Sequence, residues 1–239
     1  MLGNNHLLVI SHLFPNNKNT KSGVFILDQL KQLSKYNYDI SVVSPVGITI
    51  QKDMVLPSRG ILNSWKLWLD WRFGIVSRMS FDKIDTHYLR YYYLNIWRKN
   101  QLISFKNVVE KKILDINKDS KIDLIHAHSL FPDGVIAVQL AKKLNCPAVI
   151  SGMGNDIRVF SQKRSVKKIV LDSMLNSNYI IYKSTSLSKL LPIKLKNYSV
   201  IHNGVDIEKF KFNPIEERTS ILFIGNLVKA KGVYELIHA

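Results

Sequence analysis

Cysteine is nearly absent from this sequence: Cys146 is the sole example among 239 residues. One thiol cannot build a disulfide framework, so the fold must rest on a packed core, and the chain fits a reducing compartment. The setting of Cys146, "KKLNCPAVI", predicts a small buried residue at the foot of an apolar strand. Long apolar runs are missing as well, and no window reaches the roughly 18 uncharged apolar residues that a membrane span needs. The apolar stretch near the start, "HLLVISHLF", is short and no small-residue cleavage site follows it. The sequence therefore predicts no signal peptide and a cytoplasmic chain, at most peripheral to the inner face of a cell membrane. Neither a G-x-G-x-x-G loop nor a Walker lysine occurs, which argues against dinucleotide and P-loop sites. RRM, KH and helix-turn-helix patterns are also lacking, so nucleic acid is not an expected partner.

Acidic residues are few: 18 Asp and Glu stand against 34 Lys and Arg, a formal net charge of +16. Such an excess fits an anionic partner, either a phosphorylated substrate or an anionic membrane surface, or else a solvated basic face. The apolar share, 46%, is that of an ordinary globular protein with a proper core.

The order of segments predicts an α/β fold. Leu7 to Ile10 form an apolar run, closed by the loop "FPNNKNTKSG" and by "VFILDQLKQLSKY". In that last segment Ile26, Leu30 and Leu33 recur at helical spacing, and "YDISVVSP" follows as a strand. Residues 46–110 are less regular, with Trp65, Trp68 and Trp71 at three-residue spacing and further aromatics in "DTHYLRYYYLNIWRKN". Alternation returns with strands at "KIDLIHAHS", "PAVISG", "NYIIYKS" and "YSVIHNGVD", separated by helical segments. Repeated βα units with near-continuous apolar strands predict a doubly wound parallel sheet, Rossmann-like in character. "KFNPIEERTS" reads as a linker, and "ILFIGNLVKAKGVYELIHA" then opens as strand, glycine loop and helix. The expected division is a domain over 1–212, a linker over 213–219 and the start of a second domain over 220–239. The last piece is too small to bury a core by itself and should be loosely held.

Ligands of open α/β sheets sit beyond the carboxyl ends of the strands, so the residues there are the candidates. Gly23 stands at a helix entrance, where backbone N–H groups can meet an anion. His126 and His128 lie two apart and share one face of a strand. The deeper His126 reads as a satisfied core residue, and His128, at the tip, as the functional one. A metal would need further ligands, and few stand out. In "SGMGNDI" the glycines, Gly154 among them, could bring Asp156 to a ligand; equally, Asp156 could cap the helix that follows. Asn203-Gly204 is a turn signal.

Taken in order, "HLFPNNKNTKSGVFILDQLKQLSKYNYDISVVSP", "IDLIHAHS", "SGMGNDI", "VIHNGVDIEKF" and "FIGNLVKAKG" resemble the N-terminal half of a family 4 glycosyltransferase of the GT-B fold. The resemblance covers nearly everything outside 46–110. It implies two Rossmann-like domains, a sugar nucleotide between them, and retaining transfer of a sugar to a glycan or lipid-linked acceptor. It implies no cofactor and no bound metal, since the nucleotide-diphosphate sugar is a substrate. Carried onto this sequence, Gly23 would offer backbone N–H groups to the diphosphate and His128 would contact the donor sugar. Asp156 would line the sugar or acceptor side with Gly154, Asn203 would shape the cleft, and Lys231 would neutralise the leaving diphosphate. Two positions depart from the family pattern. Asn226 stands where the family usually has Arg, and the glycine loop before Asp156 lacks its histidine. The acidic motif of the family's second domain does not occur, so the resemblance implies a truncated chain. A binding or membrane-associating module that keeps the fold without the chemistry is the alternative, with the tryptophans either on a membrane or on a packed helix face.

Overall fold

The computed structural model describes residues 5–50, 65–66, 68–69, 77–94, 98–154, 156–160, 164–191, 193–208, 210–211, 221–225 and 227–239. The chain divides into two compact units, Met1–Gly204 and Val205–Ala239.

The first unit is built on one sheet. Its strands are β1 (Asn5–Ile10), β2 (Tyr38–Ile50), β3 (Arg78–Phe81), β4 (Ile84–Leu94), β5 (Leu124–His128), β6 (Ala148–Gly152), β7 (Tyr179–Tyr182) and β8 (Tyr198–Val200). The spatial order is β3-β4-β2-β1-β5-β6-β7-β8, and every pairing is parallel except β3 with β4. From β1 the chain builds outward through β2 to one side, then returns to place β5 on the other. Right-handed crossovers in opposite directions put the connecting helices on opposite faces. The carboxyl ends of β1 and β5 therefore flank the point where the sheet reverses its direction of growth.

Alternation along β1 shows the two faces. Leu7 and Val9 pack under α1 (Val24–Leu33), against its Ile26, Leu27 and Leu30. Leu8 and Ile10 point the other way, into the larger core with α2 (Arg98–Asp119), α3 (Val135–Leu144) and α4 (Lys167–Asn176). The expected doubly wound α/β sheet is thus present, with an antiparallel edge strand added.

The stretch read as irregular supplies real architecture. In α2, Phe105, Val109, Ile113 and Ile116 are buried at helical spacing. β4 reads poorly as a strand because polar residues interrupt it, yet Tyr88 and Tyr91 are buried. The Tyr88 hydroxyl donates to the Pro15 carbonyl, tying the loop after β1 to the far strand. At the sheet edge, Arg78 makes a bidentate pair with Asp85 at 2.7 and 2.8 Å, a charge that discourages further strand pairing. Trp65 and Trp68 are helical and meet edge-on, centroids 5.4 Å apart, with Trp68 against Tyr92. Trp71 lies outside the described residues. Cys146 is half-buried against the main core, and burial pushes its thiol pKa up.

In the second unit the strand expected at Ile221–Gly225 does not form. An isolated apolar segment has no ladder to satisfy its backbone, and Ile221, Leu222 and Ile224 are exposed. A short turn at Lys229–Lys231 and the helix α5 (Val233–His238) do form. The turn expected at Asn203-Gly204 is also displaced. It falls at Ile207–Glu208, where the Asp206 carboxylate accepts from the Glu208 N–H at 3.0 Å.

Candidate functional site

β5 brings both its histidines to the α1 face of the sheet. Their rings stack with centroids 4.1 Å apart. His126 is satisfied: its Nε2 lies 2.9 Å from the Ser151 hydroxyl. Burial, helped by the positive Lys183 at the tip of β7, lowers its pKa to about 4. His128 is fully buried, and among the described residues neither ring nitrogen has a hydrogen-bond partner. Burial, then His126 and Lys183, hold its pKa well below the ordinary value, so the ring is neutral at pH 7. An orphaned buried imidazole costs about 1–3 kcal/mol of desolvation unless a ligand supplies the bonds. One donor and one acceptor nitrogen suit sugar hydroxyls. Lys183 itself has a pKa lowered by burial.

The histidines make the unit sensitive to acid. The unfolded chain takes up a proton at His126 near pH 6.5, whereas the folded one does so only near 4. Stability contributed by the neutral ring is therefore complete above 6.5 and lost as pH falls through that window. For His126 the loss is about 3 kcal/mol, and His128 acts in the same sense. Urea midpoints between pH 7 and 4 should fall steeply, and His126→Gln should flatten the curve. An equally steep curve in that variant would refute this account.

A second cluster was not anticipated from the sequence. His12 follows β1, and Asp133 precedes α3. The Asp133 carboxylate is fully buried; one oxygen accepts from the His12 backbone N–H at 3.1 Å and the other meets His12 Nδ1 in a short contact. The His12 side chain is 31% exposed, and its Nε2 makes no hydrogen bond among the described residues. Burial opposes charge on His12, but Asp133, by field and hydrogen bond, and then Asp156 outweigh it and raise the pKa. Burial also raises the Asp133 pKa, against the pull of His12. The only sequence signal available was polar residues at two strand ends, sites 121 positions apart.

Asp156 is 4% exposed and both its oxygens are engaged. Oδ1 accepts from the N–H groups of Met153 (2.8 Å) and Ile157 (2.9 Å), and Oδ2 from that of Leu130 (2.7 Å). These bonds are not those of a helix cap, which would run to an N–H two or three residues further on. The carboxylate braces the loop after β6 to the loop after β5, the loop that carries Asp133.

The remaining sequence candidates are placed as follows. Gly23 has φ +65 and lies against the Leu13 backbone at the entrance to α1. Gly154 has φ +112 in the loop leading to Asp156. Asn203 is exposed in irregular backbone after β8, and Lys231 is exposed in the second unit. Asn226 lies outside the described residues. Among the described residues, no three His, Cys, Asp or Glu side chains are grouped to hold a metal, and no helix is long and apolar enough to cross a membrane.

Residues 75–186 match the family model described as glycosyl transferase 4-like. An uncharacterized glycosyltransferase of Methanocaldococcus jannaschii is 33% identical over 135 residues, 56% of this chain and 36% of the relative. A putative teichuronic acid biosynthesis glycosyltransferase of Bacillus subtilis, TuaC, is 22% identical, across 98% of this chain and 61% of the relative. Among solved structures, sucrose-phosphate synthase from Thermosynechococcus elongatus superimposes with a TM-score of 0.58 at 11% identity, covering 88% of this chain and 50% of that one. The chain thus spans only about a third to three-fifths of these proteins' length. The synthase likeness concerns the fold alone.

Proposed function

From the match of residues 75–186 to the glycosyl transferase 4-like model and from the two glycosyltransferase relatives, we propose that the chain is a family 4 glycosyltransferase and forms the acceptor-side half of a sugar-transfer site. The donor is a nucleoside-diphosphate sugar, and the acceptor is a hydroxyl of a glycan or lipid-linked glycan. Transfer proceeds with retention at the anomeric carbon. Cell-surface polysaccharide assembly is the corresponding setting, in line with the name of TuaC, and the basic surface would favour an anionic membrane bearing the acceptor.

The observation that carries this reading is His128. It sits at the carboxyl end of β5, where the sheet reverses its direction of growth, with both ring nitrogens unpartnered among the described residues. A donor-sugar hydroxyl group would supply the missing bonds. Gly23 brings backbone N–H groups to the diphosphate, and Asp156 positions loops rather than touching substrate.

The test measures binding and consumption of UDP-glucose, UDP-glucuronate and GDP-mannose by the chain and by His128→Ala. Binding of one donor that weakens at least tenfold in the variant, with the fold intact by circular dichroism, is the expected result. Equal donor binding by both proteins, or none by either, would overturn it.

A further inference from the structure

His12 has the attributes of a reacting imidazole, and nothing in its local structure requires them. A buried carboxylate grips it twice, at the backbone N–H and at Nδ1. The grip fixes the ring and the position of its proton: with Nδ1–H donated to Asp133, the neutral ring leaves a lone pair on Nε2. That nitrogen is on the side of the ring away from Asp133, and the side chain is one-third open to solvent. Asp133 is in turn held by its neighbourhood. The Gly134 N–H donates to the Ser129 carbonyl at 2.9 Å, and Asp156 ties the adjoining Leu130 to the loop after β6. A carboxylate buried only to orient a partly exposed histidine costs stability that a surface loop could avoid. The pair also stands at the reversal point of the sheet, β1 on one side and β5 on the other, where ligands of such folds bind.

We propose that His12 takes the proton from the attacking hydroxyl during sugar transfer, with Asp133 as its positioning residue. The proposal rests on the glycosyl-transfer reading above. Whichever face the acceptor attacks, its hydroxyl must lose a proton. The acceptor oxygen bonds to the anomeric carbon, and the bond from that carbon to the diphosphate oxygen breaks. The electron pair leaves with the nucleoside diphosphate, and the hydroxyl proton passes to His12 Nε2. The imidazolium so formed faces Asp133 and Asp156, which stabilise its charge. A base with its pKa raised toward neutrality is well matched to this task.

Consumption of UDP-glucose, UDP-glucuronate and GDP-mannose, with water standing in as acceptor, tests this without knowledge of the true acceptor. His12→Ala should lower kcat about 100- to 1,000-fold with donor KM changed less than threefold. Asp133→Asn should shift the acid limb of the pH–rate profile to lower pH, which a merely structural role would not do. Consumption that survives His12→Ala with its acid limb intact overturns this proposal and leaves the transfer reading standing. A wild-type chain that consumes none of the donors removes both. Should Asp133→Asn fail to fold, 15N NMR of the wild-type imidazoles decides. His12 must carry its neutral-form proton on Nδ1 and titrate above 6.5, and the opposite tautomer overturns the assignment.

Discussion

Replacing Asp156 by alanine should destabilise the Rossmann-like unit by at least about 3 kcal/mol, since hydrogen bonds to a charged group contribute about 1.5–3 kcal/mol each. Three backbone N–H groups, those of Leu130, Met153 and Ile157, lose their acceptor at once. Leu130 and Ile157 are buried, so water cannot easily replace the carboxylate. A loss of that size is a large part of the roughly 5–15 kcal/mol that holds a domain together. The asparagine variant separates the three bonds. With its oxygen toward Met153 and Ile157, it turns an NH2 group on the Leu130 N–H, donor against donor. Hydrogen exchange should then quicken at Leu130 first, while the other two amides keep their protection. The same change removes a negative charge near His12 and should lower the His12 pKa. A urea midpoint unmoved in Asp156→Ala would show that the brace is dispensable.

Gly23→Ala should cost a similar amount by a different route. A Cβ at that position would stand 2.2 Å from the Leu13 carbonyl oxygen and 2.6 Å from its carbon. Those are backbone atoms, so no side chain can rotate aside. The position also has φ +65, where an L-residue with a side chain is disfavoured by about 1–2 kcal/mol. Together with overpacking of about 1–3 kcal/mol, the expected loss is about 2–5 kcal/mol. The first turn of α1 must otherwise move off the loop after β1, where the Ile26 and Leu27 N–H groups bond to the Gly23 carbonyl. Thermal unfolding of the variant checks the first outcome. Amide shifts confined to Leu13–Leu27 would report the second. A variant as stable as the parent, with unmoved shifts, would contradict both.

These two positions show different degrees of legibility. A glycine between a loop and an amphipathic segment already marks a helix entrance, and the requirement at Gly23 is local. Asp156 stood between two readings because capping and ligand contact call for the same residue in the same sort of loop. Neither reading anticipates the bond at 2.7 Å from Leu130, which belongs to the neighbouring loop. His126 and His128 were recognisable as a pair because two residues apart on a strand means one face. Which of them is satisfied depended on Ser151, one strand away. β4 and α2 were missed because polar and aromatic residues blurred the strand, and the helix began inside the same irregular stretch.

The sequence by itself determined the alternating βα plan, the parallel sheet and the strand tips where candidate residues would lie. Those follow from periodicities of two and 3.6 residues, which are written along the chain. Only the tertiary structure decided that His12 meets Asp133, that His128 is left without a partner among the described residues, and that Asp156 braces two loops. Each of these depends on strands distant in sequence lying side by side, and no local pattern encodes which ends will meet.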